Sequence, residues 1–347
     1  MLSKNEPSAR HSTMESFFQL AAAFAVGGFN SAALLVVLSA PFMLWLAWRF
    51  PYFVLPPGIT YVLLSFDGAE FKDGRPWAAF TRTFWMFQQA RAYLDLQIHI
   101  DPALEPSKMT GDEQFIFGVH PHGALADYRA LMDGLLFDSF PKLRSWRVLA
   151  ASILFKIPIW REICLWTHCV DAGRTTAQYV IEKGHSLLIV PGGEREQILG
   201  QFGKEILYLK SRMGFVKIAL KNGVPLVPVY VFGANDLFYT STFLQSFRVA
   251  LTRQFRVAIP LFCGRWGLPS PRRVPLRIVF GEPLKFTKPV AAATEESSDP
   301  GSRKGSARQV TDQEVKEAHA AYVTALQKLF NDNKAKFGYP DRELRIF

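Results

Sequence analysis

Two histidines and an aspartate follow a short apolar run in the middle of the chain. Residues 115–119 are mostly aromatic or aliphatic, which is typical of a buried strand. The run continues into the sequence His120-Pro121-His122-Gly123. Proline and glycine favour a tight bend, and bends at strand ends often present reactive side chains. Asp127 lies five residues after His122, and a helix starting after the bend would return its carboxylate towards the imidazole.

A histidine with a carboxylate on one ring nitrogen can act as a general base. The carboxylate fixes the tautomer and stabilises the imidazolium, so the second nitrogen can take a proton from a hydroxyl. No Ser or Cys adjoins this pair, so the nucleophile is expected to be a hydroxyl of the substrate. We assign the base to His122, because Asp127 has the spacing to orient it. His120 is expected to stabilise an oxyanion or to shape the turn.

The two histidines have two other possible roles. A strand-end histidine can simply be satisfied by backbone groups and water. A His-x-His pair can also bind a metal ion, but the neighbouring sequence has no third ligand at a familiar spacing, so no metal is predicted.

A second glycine-containing bend follows another short apolar run, residues 186–190. Gly192 and Gly193 free backbone N–H groups to face an anion, so Gly123 and Gly193 are both candidates for an oxyanion site. Arg195 and Glu196 come next, and the basic residues that open a predicted helix further on are Arg212 and Lys217. The positive charges of Arg212 and Lys217 suit phosphate groups, although such basic residues more often form a solvated surface.

Several of these blocks resemble one family. His120-Pro121-His122-Gly123 resembles the signature of the type-two diacylglycerol acyltransferases, a family that includes monoacylglycerol acyltransferases and wax synthases. The spacing of His122 and Asp127 is similar to the His-x(4)-Asp pattern of the wider glycerolipid acyltransferases. The resemblance continues in order through Gly-Gly-x-x-Glu ending at Glu196, Arg-x-Gly-Phe-Val-Lys ending at Lys217, and Gly-Ala-Asn-Asp containing Asn235.

This resemblance implies an acyl-coenzyme A-dependent O-acyltransferase that esterifies diacylglycerol to triacylglycerol. Acyl-coenzyme A would be a substrate, and no cofactor is expected. Monoacylglycerol and fatty alcohol stay open as acceptors, because acceptor choice depends on cavity shape. An alternative of another class is a membrane-tethered lipid-binding protein without catalysis. Substrate contacts are expected from five residues: Arg195, Glu196, Arg212, Lys217 and Asn235.

Composition restricts the partners. The 347 residues include 40 Lys and Arg against 30 Asp and Glu, a net charge of +10. This balance favours phosphate-bearing ligands and anionic membrane surfaces. No zinc-finger, RNA-recognition or basic-zipper pattern is present, so nucleic acid is not an expected partner. Three scattered cysteines do not form a disulfide framework and are typical of a reducing compartment.

The domain organisation follows from charge and hydropathy. Residues 1–15 are polar and predicted to be a disordered cytosolic tail, and residues 16–66 contain one charged residue, Arg49. This length predicts a membrane anchor, either two passes or a hairpin. Residues 67–347 form the predicted acyltransferase domain, with a disordered insertion at about 290–310. The resemblance implies a multi-pass protein of the endoplasmic reticulum membrane with its catalytic domain in the cytosol, and the lipid droplet surface as a second location.

Alternating strands and helices predict an α/β domain, with a glycerolipid-acyltransferase-like mixed sheet flanked by helices and preceded by the transmembrane hairpin. Three local predictions can be tested directly. Residues 77–94 should form one amphipathic helix, residues 164–170 a strand, and residues 311–314 a capping box that opens a closing helix. The apolar stripe of this closing helix should consist of Val315, Ala318, Tyr322, Leu326, Leu329 and Phe330. The oligomeric state stays open, with a homo-oligomer as one possibility.

Overall fold

The computed structural model of the protein describes residues 36, 38–104, 106, 109, 111–126, 128–255, 258–286 and 310–347. Four sequence predictions fall wholly or largely outside them. These are the tail at 1–15, the first part of the anchor up to residue 35, the carboxylate of Asp127, and the insertion at about 290–310.

The strands of the described residues are β1 (Gln97–Ile100), β2 (Ile116–His120), β3 (Trp146–Ala150), β4 (Cys169–Asp171), β5 (Ser186–Ile189), β6 (Glu205–Leu207), β7 (Leu226–Phe232), β8 (Tyr239–Thr240), β9 (Phe262–Cys263), β10 (Arg277–Phe280) and β11 (Leu344–Ile346). Seven of them form the central sheet, in the order β1-β10-β7-β2-β5-β3-β4. Strand β10 pairs antiparallel with β7 and parallel with β1, while β7, β2, β5, β3 and β4 are parallel neighbours. The prediction of a mixed α/β sheet is therefore confirmed.

The helices of the described residues are α1 (Ala40–Arg49), α2 (Pro51–Ser65), α3 (Ala78–Thr83), α4 (Trp85–Tyr93), α5 (Tyr128–Ser139), α6 (Trp160–Trp166), α7 (Arg174–Glu182), α8 (Gly193–Leu199), α9 (Gly214–Asn222), α10 (Gln245–Phe255) and α11 (Asp312–Lys334). Short 3-10 turns connect some of them, including Ala234–Asp236 after β7. Helices and strands alternate through most of the domain, as parallel pairing requires.

Strand β2 lies at the middle of the sheet, between β7 and β5, and every residue of it is buried. Successive side chains of a strand point to opposite faces. Phe117 and Val119 accordingly enter one hydrophobic cluster, which includes Tyr128 of α5. Ile116 enters a second cluster, which includes Tyr322 of α11. Because β2 runs parallel to β5 and β7, its last residue, His120, lies at the edge of the sheet where those two strands also end.

Helix α11 confirms the predicted closing helix. Thr311 caps it: its hydroxyl accepts from the backbone N–H of Glu314, and the Glu314 carboxylate accepts from the backbone N–H of Thr311. This reciprocal pair satisfies two N–H groups that the first turn cannot pair. All six residues of the predicted apolar stripe are buried: Val315, Ala318, Tyr322, Leu326, Leu329 and Phe330.

Two local predictions were wrong. The segment 77–94 is two helices rather than one, because the backbone of Phe84 is extended between α3 and α4. Phe84 packs on both Phe80 and Phe87, so the aromatic residues of the two helices stay in contact across the break. Residues 164–170 are not one strand either. Helix α6 continues to Trp166, His168 adopts a positive φ of 61°, and β4 starts only at Cys169.

The anchor segment contributes α1 and α2, which meet at Phe50 and contain no buried residue. Within the part of the chain that the structure describes, no helix has both the length and the apolar character needed to cross a membrane. Just after this segment, the carboxylates of Asp67 and Glu70 each accept from buried Arg161 of α6 at 2.6 Å. Arg161 also donates to the adjacent Glu162 at 2.8 Å.

Candidate active site

His120 is completely buried at the end of β2, and its hydrogen bonds define its tautomer. The Tyr322 hydroxyl lies 3.0 Å from both His120 Nε2 and the carbonyl oxygen of Gly118. A carbonyl can only accept, so the tyrosine donates to Gly118 and accepts from Nε2–H. His120 Nδ1 therefore carries the lone pair, and it is buried without a partner. Burial lowers the pKa of His120 to about 3, so the ring stays neutral.

His122 is the more accessible of the two histidines, since its side chain is only partly buried. Its Nδ1–H donates to the carbonyl oxygen of Gly123 at 3.1 Å, which leaves Nε2 as the nitrogen with a free lone pair. Burial lowers the pKa of His122, although the bond to Gly123 and the charge of Glu194 oppose this. A neutral imidazole whose second ring nitrogen keeps its lone pair is what general-base catalysis requires.

The bend itself is held by a buried glutamate. Glu196, on α8, accepts from the backbone N–H of His122 at 2.6 Å and from the backbone N–H of Tyr208 at 2.8 Å. Burial raises the pKa of Glu196 to about 7, while the two N–H donors and the charge of Arg212 lower it. A Cβ at Gly192 would overlap the Glu196 carboxylate, which explains the glycine there. The predicted Gly-Gly-x-x-Glu block thus packs directly against the His-Pro-His-Gly bend.

Two arginines form a basic cluster beside the Gly-Gly-x-x-Glu block. The guanidinium groups of Arg195 and Arg212 lie 5.3 and 5.5 Å from the ring centroid of Tyr208, and Arg195 also donates to the Tyr208 hydroxyl. Arg212 donates to the carbonyl oxygen of Gly192 at 3.1 Å and lies 3.6 Å from the exposed carboxylate of Glu194. Gly193 has a positive φ of 56° and begins α8 beside this cluster. The guanidinium groups of Arg195 and Arg212 therefore lie beside the start of α8, the helix that carries Glu196.

The other two predicted substrate contacts have protein partners in the structure. Lys217, on α9, is exposed and lies 3.9 Å from the carboxylate of Asp312 at the start of α11. Asn235 is buried and donates to the carbonyl oxygen of Lys204 and the carboxylate of Glu205, at 2.9 and 2.7 Å. It also lines a small cavity with Gly123, Ala124 and Gln197. Substrate binding by these two residues stays a prediction.

The structure brings five predicted residues into one region: His120, His122, Gly123, Glu196 and, beside them, Gly193. The orienting carboxylate predicted at Asp127 lies outside the described residues. Its role in orienting His122 stays a prediction. Among the described contacts, the carbonyl oxygen of Gly123 fixes the His122 tautomer. Among the described residues, no group of three or more His, Cys, Asp or Glu side chains is arranged to hold a metal ion.

Three tyrosines of this region were not predicted from the sequence. Tyr322 bonds to His120, Tyr208 bonds to Glu196 through its backbone, and Tyr128 donates to the carbonyl oxygen of Pro121 at 2.6 Å. Tyr322 lies 202 residues from its partner. The only sequence signal for it was its place in the apolar stripe of α11, which indicates burial and says nothing about a hydrogen bond.

Comparison with known proteins gives a consistent result. The family profile described as diacylglycerol acyltransferase matches residues 47–300. The chain is 31% identical over 281 residues to diacylglycerol O-acyltransferase 1 of Eremothecium gossypii, an alignment covering 76% of this chain and 56% of that protein. It is 29% identical to 2-acylglycerol O-acyltransferase 1 of Bos taurus, covering 85% and 86% of the two chains. It is 28% identical to diacylglycerol O-acyltransferase 2 of Bos taurus, covering 82% and 78%.

Proposed function

The chain belongs to the diacylglycerol acyltransferase family, and we propose that it transfers an acyl group from acyl-coenzyme A to the free hydroxyl of diacylglycerol. An acyltransferase acting on acylglycerols is what the family implies. The choice of diacylglycerol over monoacylglycerol is the narrower part of the proposal, because relatives with both names align over most of this chain.

The observation that carries the mechanism is the state of His122. Its Nδ1–H is engaged by Gly123, so Nε2 is free to take the proton of the acceptor hydroxyl. The hydroxyl oxygen then attacks the thioester carbonyl carbon and forms a tetrahedral oxyanion. The oxyanion collapses, the C–S bond breaks, and the leaving thiolate takes the proton from the His122 imidazolium. Ester and free coenzyme A are the products, and the base returns to its neutral form.

Backbone N–H groups near Gly123 or Gly193 are the proposed donors to the oxyanion. Both glycines have a positive φ, 63° and 56°, which other residues seldom adopt. His120 is proposed to support the bend rather than to exchange protons, because its pKa of about 3 keeps it neutral at working pH. Arg195 and Arg212 are proposed to bind coenzyme A phosphates, since guanidinium groups match phosphate oxygens.

A membrane location is part of the proposal, because the acceptor is a bilayer lipid. Helices α1 and α2 expose large apolar side chains along their length, among them Phe42, Leu44, Trp45, Trp48 and Phe53. Soluble surfaces rarely expose such contiguous apolar area. We propose that this segment, with the residues preceding it, holds the domain on the endoplasmic reticulum membrane, with the lipid droplet surface as a second location.

The test uses membranes from cells that lack their own triacylglycerol synthesis. The protein is expressed there and supplied with labelled oleoyl-coenzyme A and one acceptor: diacylglycerol, monoacylglycerol or a fatty alcohol. Labelled triacylglycerol from diacylglycerol is the expected result. Ester formed only from another acceptor would keep the mechanism but overturn the choice of diacylglycerol. Lipid binding without ester formation from any acceptor would overturn the proposed activity and favour the non-catalytic alternative.

A further inference from the structure

We propose that residues 342–347 position the active site by holding β6 in place. Strand β6 in turn positions the backbone of Tyr208. Tyr208 and Glu196 together then fix the bend that carries His122. This inference rests on the proposed function for its kinetic consequences. Its structural part concerns contacts that exist whatever the substrate is. Arg342 is the first residue of this segment, and it is a positioning residue in the proposal.

The first step is a strand pairing. Strand β11 pairs in parallel with β6, aligning Leu344 with Glu205 and Ile346 with Leu207. Within the described residues these two strands form a sheet of their own, so β11 is the strand that pairs with β6. Phe347 extends the pairing: its N–H donates to Leu207, and its carbonyl oxygen accepts from the N–H groups of Leu209 and Lys210, each at 2.8 Å. Residues on both sides of Tyr208 are thus held by this segment.

The second step is a pair of ion pairs at the other end of the segment. The Arg342 guanidinium binds the carboxylate of Glu205 at 2.6 Å and that of Asp236 at 2.7 Å. Glu205 is the first residue of β6 and is buried, and it also accepts from the Tyr230 hydroxyl at 2.8 Å and from Asn235 at 2.7 Å. Arg342 therefore joins β6 to the turn after β7.

The third step leads to the catalytic bend. Tyr208 directly follows β6, and its backbone N–H donates to one carboxylate oxygen of Glu196. The other oxygen accepts from the backbone N–H of His122. Glu196 is 2% exposed and packed against Gly192, so its carboxylate has little room to follow a displaced partner. A shift of Tyr208 would therefore change how firmly the His122 backbone is held.

The effect is expected on catalysis more than on folding. Neither β6 nor β11 belongs to the seven-stranded sheet, so that sheet keeps all its pairings without them. Catalytic groups are sensitive to small displacements, and a misplacement of about 1 Å can cost about 100-fold in rate. A loosened bend should lower kcat while the acceptor still binds.

The experiment compares Arg342→Gln with Arg345→Gln in the full-length, membrane-embedded protein. Arg345 lies on the same strand but is exposed, and its described ion pair is a 3.7 Å contact with exposed Glu343. We expect Arg342→Gln to lower kcat at least tenfold with the KM for the acceptor within twofold of wild type. We expect Arg345→Gln to leave both constants within twofold. A chain shortened by Phe347 alone should lower kcat in the same way without leaving a buried carboxylate unpaired.

A double-mutant cycle identifies the route of the effect. If Arg342 acts through Glu196, the variant Arg342→Gln/Glu196→Gln should lose no more than the worse single variant. Losses that multiply would overturn the proposal. Values of kcat within twofold of wild type for both Arg342→Gln and the shortened chain would also overturn it. If Arg342→Gln does not fold, the kcat of the shortened chain alone decides.

Hydrogen exchange separates this inference from the proposed function. Peptides covering residues 118–126 should take up deuterium faster in the Arg342→Gln variant than in wild type or Arg345→Gln, because the His122 N–H loses a firm acceptor. Unchanged uptake would overturn the positioning role even in an active enzyme. Faster uptake in a protein without acyltransferase activity would support the positioning role and leave only the proposed function refuted.

Discussion

Replacing Tyr322 by Phe tests the hydrogen bonds that define His120. The substitution keeps the ring in the core and removes only the hydroxyl. The hydroxyl accepts from His120 Nε2–H and donates to the Gly118 carbonyl oxygen, both at 3.0 Å. His120 and Tyr322 are completely buried, so water cannot replace either bond without a rearrangement of the core.

The expected cost follows from what is left unpaired. A buried donor without an acceptor costs about 1–3 kcal/mol, and loss of the bond to Gly118 adds about 0.5–1.5 kcal/mol. A change of tautomer does not remove this cost, because the proton would then lie on Nδ1, which is also buried without a partner. We therefore expect Tyr322→Phe to lower the free energy of unfolding by about 1.5–4.5 kcal/mol.

Tyr128→Phe is the matched control. Tyr128 is also buried and donates to the same bend, at the Pro121 carbonyl oxygen. Its loss removes the described bond to the Pro121 carbonyl oxygen, and the loss of that bond costs about 1 kcal/mol. The assay is urea-induced or thermal unfolding of both variants in detergent. A loss below about 1 kcal/mol in Tyr322→Phe would refute the reasoning about the His120 tautomer.

Three further predictions concern single residues. Glu194→Gln removes a negative charge that raises the pKa of His122, so the pKa of His122 should fall further. The base then stays neutral to lower pH, and the acid limb of the kcat/KM profile should move to lower pH. A shift of this limb to higher pH would contradict the assignment. Gly118→Ala places a Cβ against the Tyr322 hydroxyl and should destabilise the protein by about 1–3 kcal/mol in denaturant titrations. Thr311→Ala breaks the capping box and should lower stability by about 1 kcal/mol with kcat unchanged, and a kcat loss would be the contrary outcome.

The sequence predicted the elements with a strong local signal. Residues 115–119 gave β2 because an apolar run ending in Pro and Gly has few other interpretations. The closing helix was predicted with its cap and its buried stripe, since both depend on spacing within a few residues. The helix–strand boundary near His168 was missed because it depends on a positive φ at a residue that seldom adopts one.

The sequence predicted residues that cluster at the site, whereas most of their described contacts have no local signal. Asp127, which the spacing predicts to orient His122, lies outside the described residues, and the described contact of the His122 ring is with the carbonyl oxygen of Gly123. Glu196 was predicted to bind substrate, and its described partners are two backbone N–H groups. Hydrogen bonds between residues 74 or 202 positions apart have no local signature, so the roles of Glu196 and Tyr322 needed the folded chain.

The most direct test of the central claim is the kcat of His122→Ala with labelled oleoyl-coenzyme A and diacylglycerol, with the amount of folded protein measured in parallel. Loss of a general base lowers rates by about 10²–10⁴-fold, and we predict a loss in this range with the KM for diacylglycerol little changed. An activity within tenfold of wild type would contradict the assignment of His122 as the base.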